Sequence, residues 1–172
     1  LLSRRQRQMC IRDRSERVPE LKMYVIGETK SRSFNDMDLS LYKKESRIKF
    51  LGRVSDVQLV KLYSNACAFI FPSFYEGFGI PVLEAQACGC IPVSFGNSGQ
   101  ADIIRHKENG FLADYLSADS LAEGIRWGIS EARTAISKEN MRSEVFRKYS
   151  GEVVAKQYLN LYQNLIRRKV TQ

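Results

Sequence analysis

The stretch CAFIFPSFYEGFGIPVLEAQACGCIPVSF, residues 67–95, contains two apolar runs that flank a glycine-containing loop and a short helical pattern. Residues 67–72 and 91–95 are largely apolar without alternation, which is typical of parallel strands buried on both faces. Between them, Pro81 suits the first turn of a helix and Gly89 suits its end. The order strand, helix, strand therefore predicts a parallel α/β sheet.

The same alternation extends in both directions along the chain. Ser55 and Gln58 have the spacing of a capping box at the start of a helix, and Asp119 or Ser120 is expected to cap a later one. Further strands are predicted at residues 21–27, 47–52 and 110–113, and further helices or helical turns at residues 39–45, 100–105, 119–130, 137–148 and 152–168. We therefore predict a Rossmann-like parallel sheet with helices on both faces and a C-terminal helical tail. Its ligand should lie at the carboxyl ends of the strands, near the loops after residues 51, 72 and 95.

The loop after residue 72 contains the residue types that a sugar nucleotide needs. Gly77 and Gly79 allow a ligand to approach the main chain, and the helix that follows offers unpaired N–H groups to a diphosphate. Glu76 precedes this loop and Glu84 lies about one turn into the helix, with seven residues between them. Both carboxylates can accept hydrogen bonds from sugar hydroxyls. The alternative is that they only cap or solvate the helix start, where negative charge is favourable.

Three segments together carry a resemblance to a known family. The run IKFLGRVSDVQLVKLYSNACAFIFPSFYEGFGIPVLEAQACGCIPV, the later NGFLAD and the ending YSGEVVAKQYLNLYQNLI resemble the retaining glycosyltransferases of family four. These enzymes have the two-domain GT-B architecture, and the similar part is their C-terminal, nucleotide-sugar-binding half. The resemblance implies a donor-binding domain over residues 15–172, without the N-terminal acceptor domain. It also implies that the last helix would have an exposed apolar surface.

The resemblance also implies a role for each matching residue. Glu76 would contact the hydroxyls of the transferred sugar as the catalytic-site glutamate, and Glu84 would hold the ribose. The other donor-binding positions are Arg53, Val54, Gly77, Phe78, Gly79 and Ile80. The first two would bracket the base, and the last four would lie along the sugar and the diphosphate. The donor would be a nucleotide-diphosphate sugar, and neither a cofactor nor a metal is expected.

Two parts of the chain depart from the family pattern. Relatives often have Gly-Gly-x-Pro-Glu after the fourth strand, whereas residues 96–102 read GNSGQAD, with Asp102 where glutamate is usual. Relatives also have an arginine and a lysine just before the first strand, which neutralise the diphosphate. Arg12 and Arg14 lie near that place but do not match the spacing.

The first fourteen residues, LLSRRQRQMCIRDR, differ in composition from the rest of the chain. Met9 to Asp13 resembles the translation of a sequencing-library adapter, so we expect residues 1–14 to be non-native. The alternative is a genuine basic arm that binds nucleic acid or acidic lipid. The segment contributes half of the formal net charge of +8, and the remainder does not predict nucleic-acid binding.

The remaining features narrow the class of protein. No apolar stretch approaches the roughly 20 residues of a membrane helix, and a cytoplasmic location, possibly at the inner face of the membrane, is predicted. Cys88 and Cys90 lack metal-ligand spacing, and His106 is expected at the surface. The acceptor would be a glycan or a lipid-linked glycan. The alternatives are a nucleotide-binding module without activity, an epimerase or a phosphorylase.

Overall fold

The computed structural model describes residues 21–27 and 40–170. Strands and helices alternate, as the sequence predicts, and helices alone follow the fifth strand. The elements are β1 (Met23–Ile26), α1 (Ser40–Lys43), β2 (Ile48–Gly52), α2 (Asp56–Asn65), β3 (Ala68–Phe71), α3 (Ile80–Ala87), β4 (Ile91–Phe95), a 3-10 helix (Gly99–Asp102), β5 (Phe111–Ala113), α4 (Ala118–Ile129), α5 (Ala132–Ala135), α6 (Lys138–Tyr149) and α7 (Gly151–Val170).

All strand pairs in these residues are parallel, which confirms the predicted fold class. They form two hydrogen-bonded groups, β1 with β2 and β3 with β4 and β5, with β4 in the centre of the second group. Within the described residues, no strand pairing joins the two groups. The register of the β1–β2 pair shifts between Val25 and Ile26, so this pair is also locally irregular.

The three-stranded sheet has a different hydrophobic cluster on each face. Ile91, Val93 and Phe95 of β4 pack with residues of α4, among them Trp127. On the opposite face, Phe69 of β3 packs with residues of α2 and α3. Successive residues of a strand point to opposite faces, so both faces of the sheet are covered. All five residues of β4 are buried, as expected for a central parallel strand.

The β1–β2 pair is less covered than the sequence predicts. Tyr24 and Ile26 are 46% and 38% exposed, and Leu51 of β2 is 38% exposed. Alternate side chains of β1 therefore face solvent, and the apolar character of this strand does not reflect burial on both faces.

The helix starts show where local sequence signals succeed and fail. The capping box of α2 is present: Ser55 Oγ accepts the Gln58 N–H at 3.4 Å, and Gln58 Oε1 accepts the Ser55 N–H at 3.0 Å. For α4 the predicted caps Asp119 and Ser120 are wrong, because Ser117 is the N-cap and its hydroxyl accepts the Ser120 N–H at 3.1 Å. The short helix α5 was not predicted.

The last helix has a large exposed apolar surface, as expected. Six of its large apolar side chains are half exposed or more: Tyr158, Leu159, Leu161, Tyr162, Leu165 and Ile166. Among the described residues, no helix combines the length and apolar character that crossing a bilayer requires.

Candidate functional site

A glycine loop, residues 73–79, joins β3 to α3 at the carboxyl end of the three-stranded sheet. Gly79 is the N-cap of α3, with a φ of 96° that favours glycine over any residue with a side chain. No side chain caps this helix, and Pro81 occupies its first turn. The backbone N–H groups at the start of α3 therefore have no side chain as a capping partner.

The N–H groups of residues 77–80 are the most prominent feature of this loop. Within the part of the chain that the structure describes, none of these four groups donates a hydrogen bond to a protein acceptor. They lie at the positive end of the α3 helix dipole. Unpaired donors at a helix N-terminus form a binding site for phosphate or another anion.

Glu76 is held at this loop by three contacts. Its Oε1 accepts a hydrogen bond from Ser73 Oγ at 2.9 Å. Its backbone N–H donates to Ser98 Oγ at 3.1 Å, and its carbonyl accepts the Gly99 N–H at 3.1 Å. The side chain of Glu76 does not cap α3, so the capping alternative does not apply to it.

Glu84 lies on the exposed side of α3. Val82, Ala85 and Gln86 are the buried residues of this helix, whereas Glu84 and Ile80, one turn earlier, are exposed. Residues four apart share a helix face, so Glu84 lies on the same face as Ile80, the first residue of the helix. Burial raises the pKa of the Tyr63 hydroxyl on α2, and the negative charge of the Glu84 carboxylate raises it further.

Phe78 connects the loop to a more distant part of the chain. Its ring is 41% exposed and meets the ring of Tyr149 edge-on, with 5.8 Å between centroids. Tyr149 is the last residue of α6. The C-terminal end of α6 therefore supports the exposed side of the glycine loop.

The predicted residues of the glycine loop and α3 lie together in one segment of the chain. Arg53 is exposed and Val54 half-buried, directly after β2 in the other group of strands. Their place in one site with the glycine loop stays a prediction. Arg12 and Arg14 lie outside the described residues.

A second loop, residues 96–100, follows β4 and lies in the segment that departs from the family pattern. We call it the serine loop. Asn97 Nδ2 donates to the Phe74 carbonyl at 2.6 Å, in addition to the contacts of Ser98 and Gly99 with Glu76. A Cβ on Gly99 would collide with the Gly77 carbonyl oxygen, so only glycine fits there. The sequence signal for this contact is that both loops follow predicted strands, at the edge of the sheet where the ligand is expected.

The side chains for which the sequence predicts no role in the site have ordinary surroundings. His106 is exposed, its Nδ1 accepts the Leu112 N–H at 3.2 Å, and its ring packs on Phe111. Cys90 is buried, and this burial raises the pKa of its thiol to about 12. Among residues 21–27 and 40–170, no cluster of histidine, cysteine or acidic side chains could hold a metal ion.

The fold is similar to that of one part of solved glycosyltransferases. HepE of Anabaena, solved with UDP and glucose, has a TM-score of 0.75 and 21% identity, over 91% of this chain and 44% of HepE. Sucrose-phosphate synthase of Thermosynechococcus elongatus has a TM-score of 0.77 and 24% identity, over 96% of this chain and 43% of the synthase. The fold is therefore one half of a GT-B glycosyltransferase.

The sequence comparison gives the family. The model of the glycosyl transferases group 1 family matches residues 10–147, and the chain belongs to this family. An uncharacterized glycosyltransferase of Methanocaldococcus jannaschii is 36% identical over 121 residues, which are 67% of this chain and 30% of the relative. The N,N'-diacetylbacillosaminyl-diphospho-undecaprenol alpha-1,3-N-acetylgalactosaminyltransferase of Campylobacter jejuni is 30% identical over 120 residues, 70% of this chain and 31% of the relative. The chain thus spans less than a third of the length of these two relatives.

Proposed function

We propose that the chain is the donor-binding half of a retaining glycosyltransferase, which moves a hexose-type sugar from a nucleotide diphosphate to an acceptor. The observation that carries this proposal is the run of four unpaired N–H groups, residues 77–80, between Glu76 and Glu84. Family membership supports the transferase activity. Retention and the identities of the sugar, the base and the acceptor belong to the proposal.

The two carboxylates take different parts of the donor. The diphosphate lies along the amides of residues 77–80, where the N–H groups and the helix dipole stabilise its charge as the sugar leaves. Glu84 lies four residues beyond Ile80, a rise of about 6 Å along the helix, and repels phosphate. It instead accepts hydrogen bonds from the two ribose hydroxyls. Glu76, at the other end of the loop, orients the hydroxyls of the transferred sugar.

The remaining roles extend this arrangement. Arg53 and Val54 bracket the base, largely through main-chain atoms. The donor is a nucleotide-diphosphate sugar, and we propose that the reaction uses no metal and no other cofactor. The acceptor is a glycan or a lipid-linked glycan held by a further domain, at the cytoplasmic face of a membrane. The Campylobacter relative, whose name specifies a diphospho-undecaprenol acceptor, supports this acceptor class.

Nucleotide titration tests the proposal. UDP, GDP and ADP are titrated calorimetrically into the wild-type chain and into Glu84→Ala. We expect one nucleotide to bind, and the substitution to weaken it about tenfold, because hydrogen bonds of a charged acceptor contribute about 1.5 kcal/mol or more. Glu139→Ala removes an exposed helical glutamate on α6 and serves as the matched control. If folded wild-type chain binds none of the three, the proposal is wrong.

A second candidate is a nucleotide-binding module without transfer activity of its own. The coverage of less than a third of two relatives favours it for this chain. A transfer assay with the chain alone distinguishes the two candidates. Turnover by the chain alone would exclude the inactive module, whereas nucleotide binding without turnover would support it.

A further inference from the structure

We infer that Ser98 and Gln100 are positioning residues for Glu76, and that they set the contribution of the donor sugar to binding. This inference rests on the proposed function, in which Glu76 meets the sugar and Glu84 meets the ribose. Its physical basis is a hydrogen-bond relay that begins at a fully buried side chain and ends at the Glu76 peptide.

The relay runs in one direction through three hydrogen bonds. Gln100 is 0% exposed, and its Nε2 donates to the Phe95 carbonyl at 2.9 Å. Its Oε1 accepts the Ser98 hydroxyl at 2.8 Å, and Ser98 Oγ in turn accepts the Glu76 N–H at 3.1 Å. Because the Ser98 hydroxyl proton is used toward Gln100, its oxygen is turned to accept from Glu76. Successive bonds of this kind polarise one another and rigidify the chain of groups.

The relay ends at the one peptide whose side chain is proposed to meet the sugar. Gly99 N–H binds the Glu76 carbonyl from the same loop, so both polar groups of this residue are fixed. Ser73 holds the carboxylate itself at 2.9 Å. The serine loop contains two glycines, Gly96 and Gly99, and no proline, and its backbone alone therefore does not fix its shape. The Gln100 amide supplies that restraint from inside the core.

Among the described residues, no hydrogen bond links Ser98 or Gln100 to Glu84 or to the N–H groups of residues 77–80. A change in Ser98 should therefore alter the sugar end of the site and leave the nucleotide end intact. A merely structural serine would instead weaken both ends together. The ratio of the two affinities separates these cases.

The test compares Kd values for UDP and UDP-glucose, or for GDP and GDP-mannose if guanine is selected. In the wild-type chain we expect the two Kd values to differ. Ser98→Ala should leave the nucleotide Kd within about twofold and move the ratio to that of Glu76→Ala. Ser98→Thr, which keeps the hydroxyl, should restore the wild-type ratio, and Ser98→Ala should add nothing to Glu76→Ala. Gln100→Met, of similar length, should change the ratio in the same direction.

Ser130→Ala is the matched control, since its hydroxyl binds the Arg126 carbonyl far from the loop, and should leave both Kd values unchanged. Equal weakening of both ligands by Ser98→Ala overturns the inference, and so does a wild-type ratio of one. In both cases nucleotide binding remains and the proposed function survives. Loss of nucleotide binding by the wild-type chain itself would remove the proposed function and this inference together.

Discussion

Replacing Gly99 with alanine should separate the two loops of the site. The new Cβ would lie 2.6 Å from the carbonyl carbon of Gly77 and from the Cα of Phe78, and closer still to the Gly77 oxygen. Real Cβ atoms essentially never come within 3.0 Å of such atoms, so the backbones must move apart by at least 0.4 Å. No flexible side chain can absorb this movement, because the obstructing atoms belong to the main chain.

The expected magnitude follows from the contacts that this movement weakens. The two hydrogen bonds of the Glu76 peptide, both 3.1 Å long, lengthen together. At about 1 kcal/mol for each bond, plus packing strain, the free energy of unfolding should fall by about 2 kcal/mol. For a domain of this size that is a decrease in Tm of about 4–8 °C. The affinity for the nucleotide should fall about tenfold, since the amides of residues 77–80 lose their arrangement.

Thermal unfolding by circular dichroism and calorimetric titration measure the two effects. Gly96→Ala is the control in the same loop, because its Cβ would meet Leu112 Cβ at an ordinary 3.4 Å. A Gly99→Ala chain with the Tm and the nucleotide affinity of the wild type would refute the steric argument. A lower Tm with unchanged affinity would refute only the link between this loop and the amides.

Three further predictions concern the frame around the site. Gly124→Ala should lower the Tm despite its gain in helix propensity, because its Cβ would lie 2.5 Å from Phe111 Cδ1. Hydrogen bonds from Arg105 first, and then from a lysine, lower the pKa of Glu144 to about 2. The ion pair of Glu144 with Arg105 therefore stabilises the fold above pH 4.5, and this contribution is lost as the pH falls toward 2. Glu144→Gln should lower the free energy of unfolding by about 1 kcal/mol at pH 7 and flatten its pH dependence. Burial raises the pKa of Cys90 to about 12, so iodoacetamide at pH 8 should label it last, as read by peptide mapping.

Each of these has its own comparison. Gly128→Ala in the same helix meets Ala68 Cβ at 3.3 Å and should have a much smaller effect than Gly124→Ala. Equal Tm values for the two variants would contradict the packing argument. Glu139→Gln should leave the acid unfolding profile unchanged, and a profile that Glu144→Gln also leaves unchanged would disprove the ion-pair contribution. Labelling of Cys90 before the half-buried Cys67 would show that the core opens readily.

Sequence signals predicted the elements that depend on neighbouring residues. Residues 91–95 form β4 as predicted, because an apolar run bounded by Gly89 and Gly96 has few other conformations available. The capping box of Ser55 and Gln58 is equally local. The cap of α4 was not predicted correctly, because Ser117 and Ser120 have similar local preferences. Ser120 lies inside the first turn of the helix, and its hydroxyl accepts the Asp114 N–H at 2.9 Å.

The longer-range features had no such signal. The separation of β1 and β2 from the other strands depends on pairing between distant segments, and apolar character does not encode it. The contacts of Asn97 and Ser98 with residues 74 and 76 span 22 or 23 positions. The family resemblance indicated Glu76 and Glu84. The strand pattern placed the loop after residue 95 near the ligand, but it could not indicate the contacts of Asn97 and Ser98, because this chain departs from the family pattern there.

The composition of the site determines which variants can test it. The groups proposed to meet the diphosphate are backbone N–H groups, which no side-chain truncation removes. Substituting Glu76 or Glu84 therefore probes only the two ends of the donor. The middle of the site responds to changes that move the glycine loop as a unit, and the residues that fix this unit lie in the serine loop. Substituting Ser98 should affect the sugar end of the site through one hydrogen bond, whereas substituting Gly99 should displace the main chain itself. If Ser98→Ala and Gly99→Ala changed the affinities for the nucleotide and the nucleotide sugar alike, the two loops would act as one rigid body. The position of the Glu76 backbone would then not be set separately from the rest of the glycine loop.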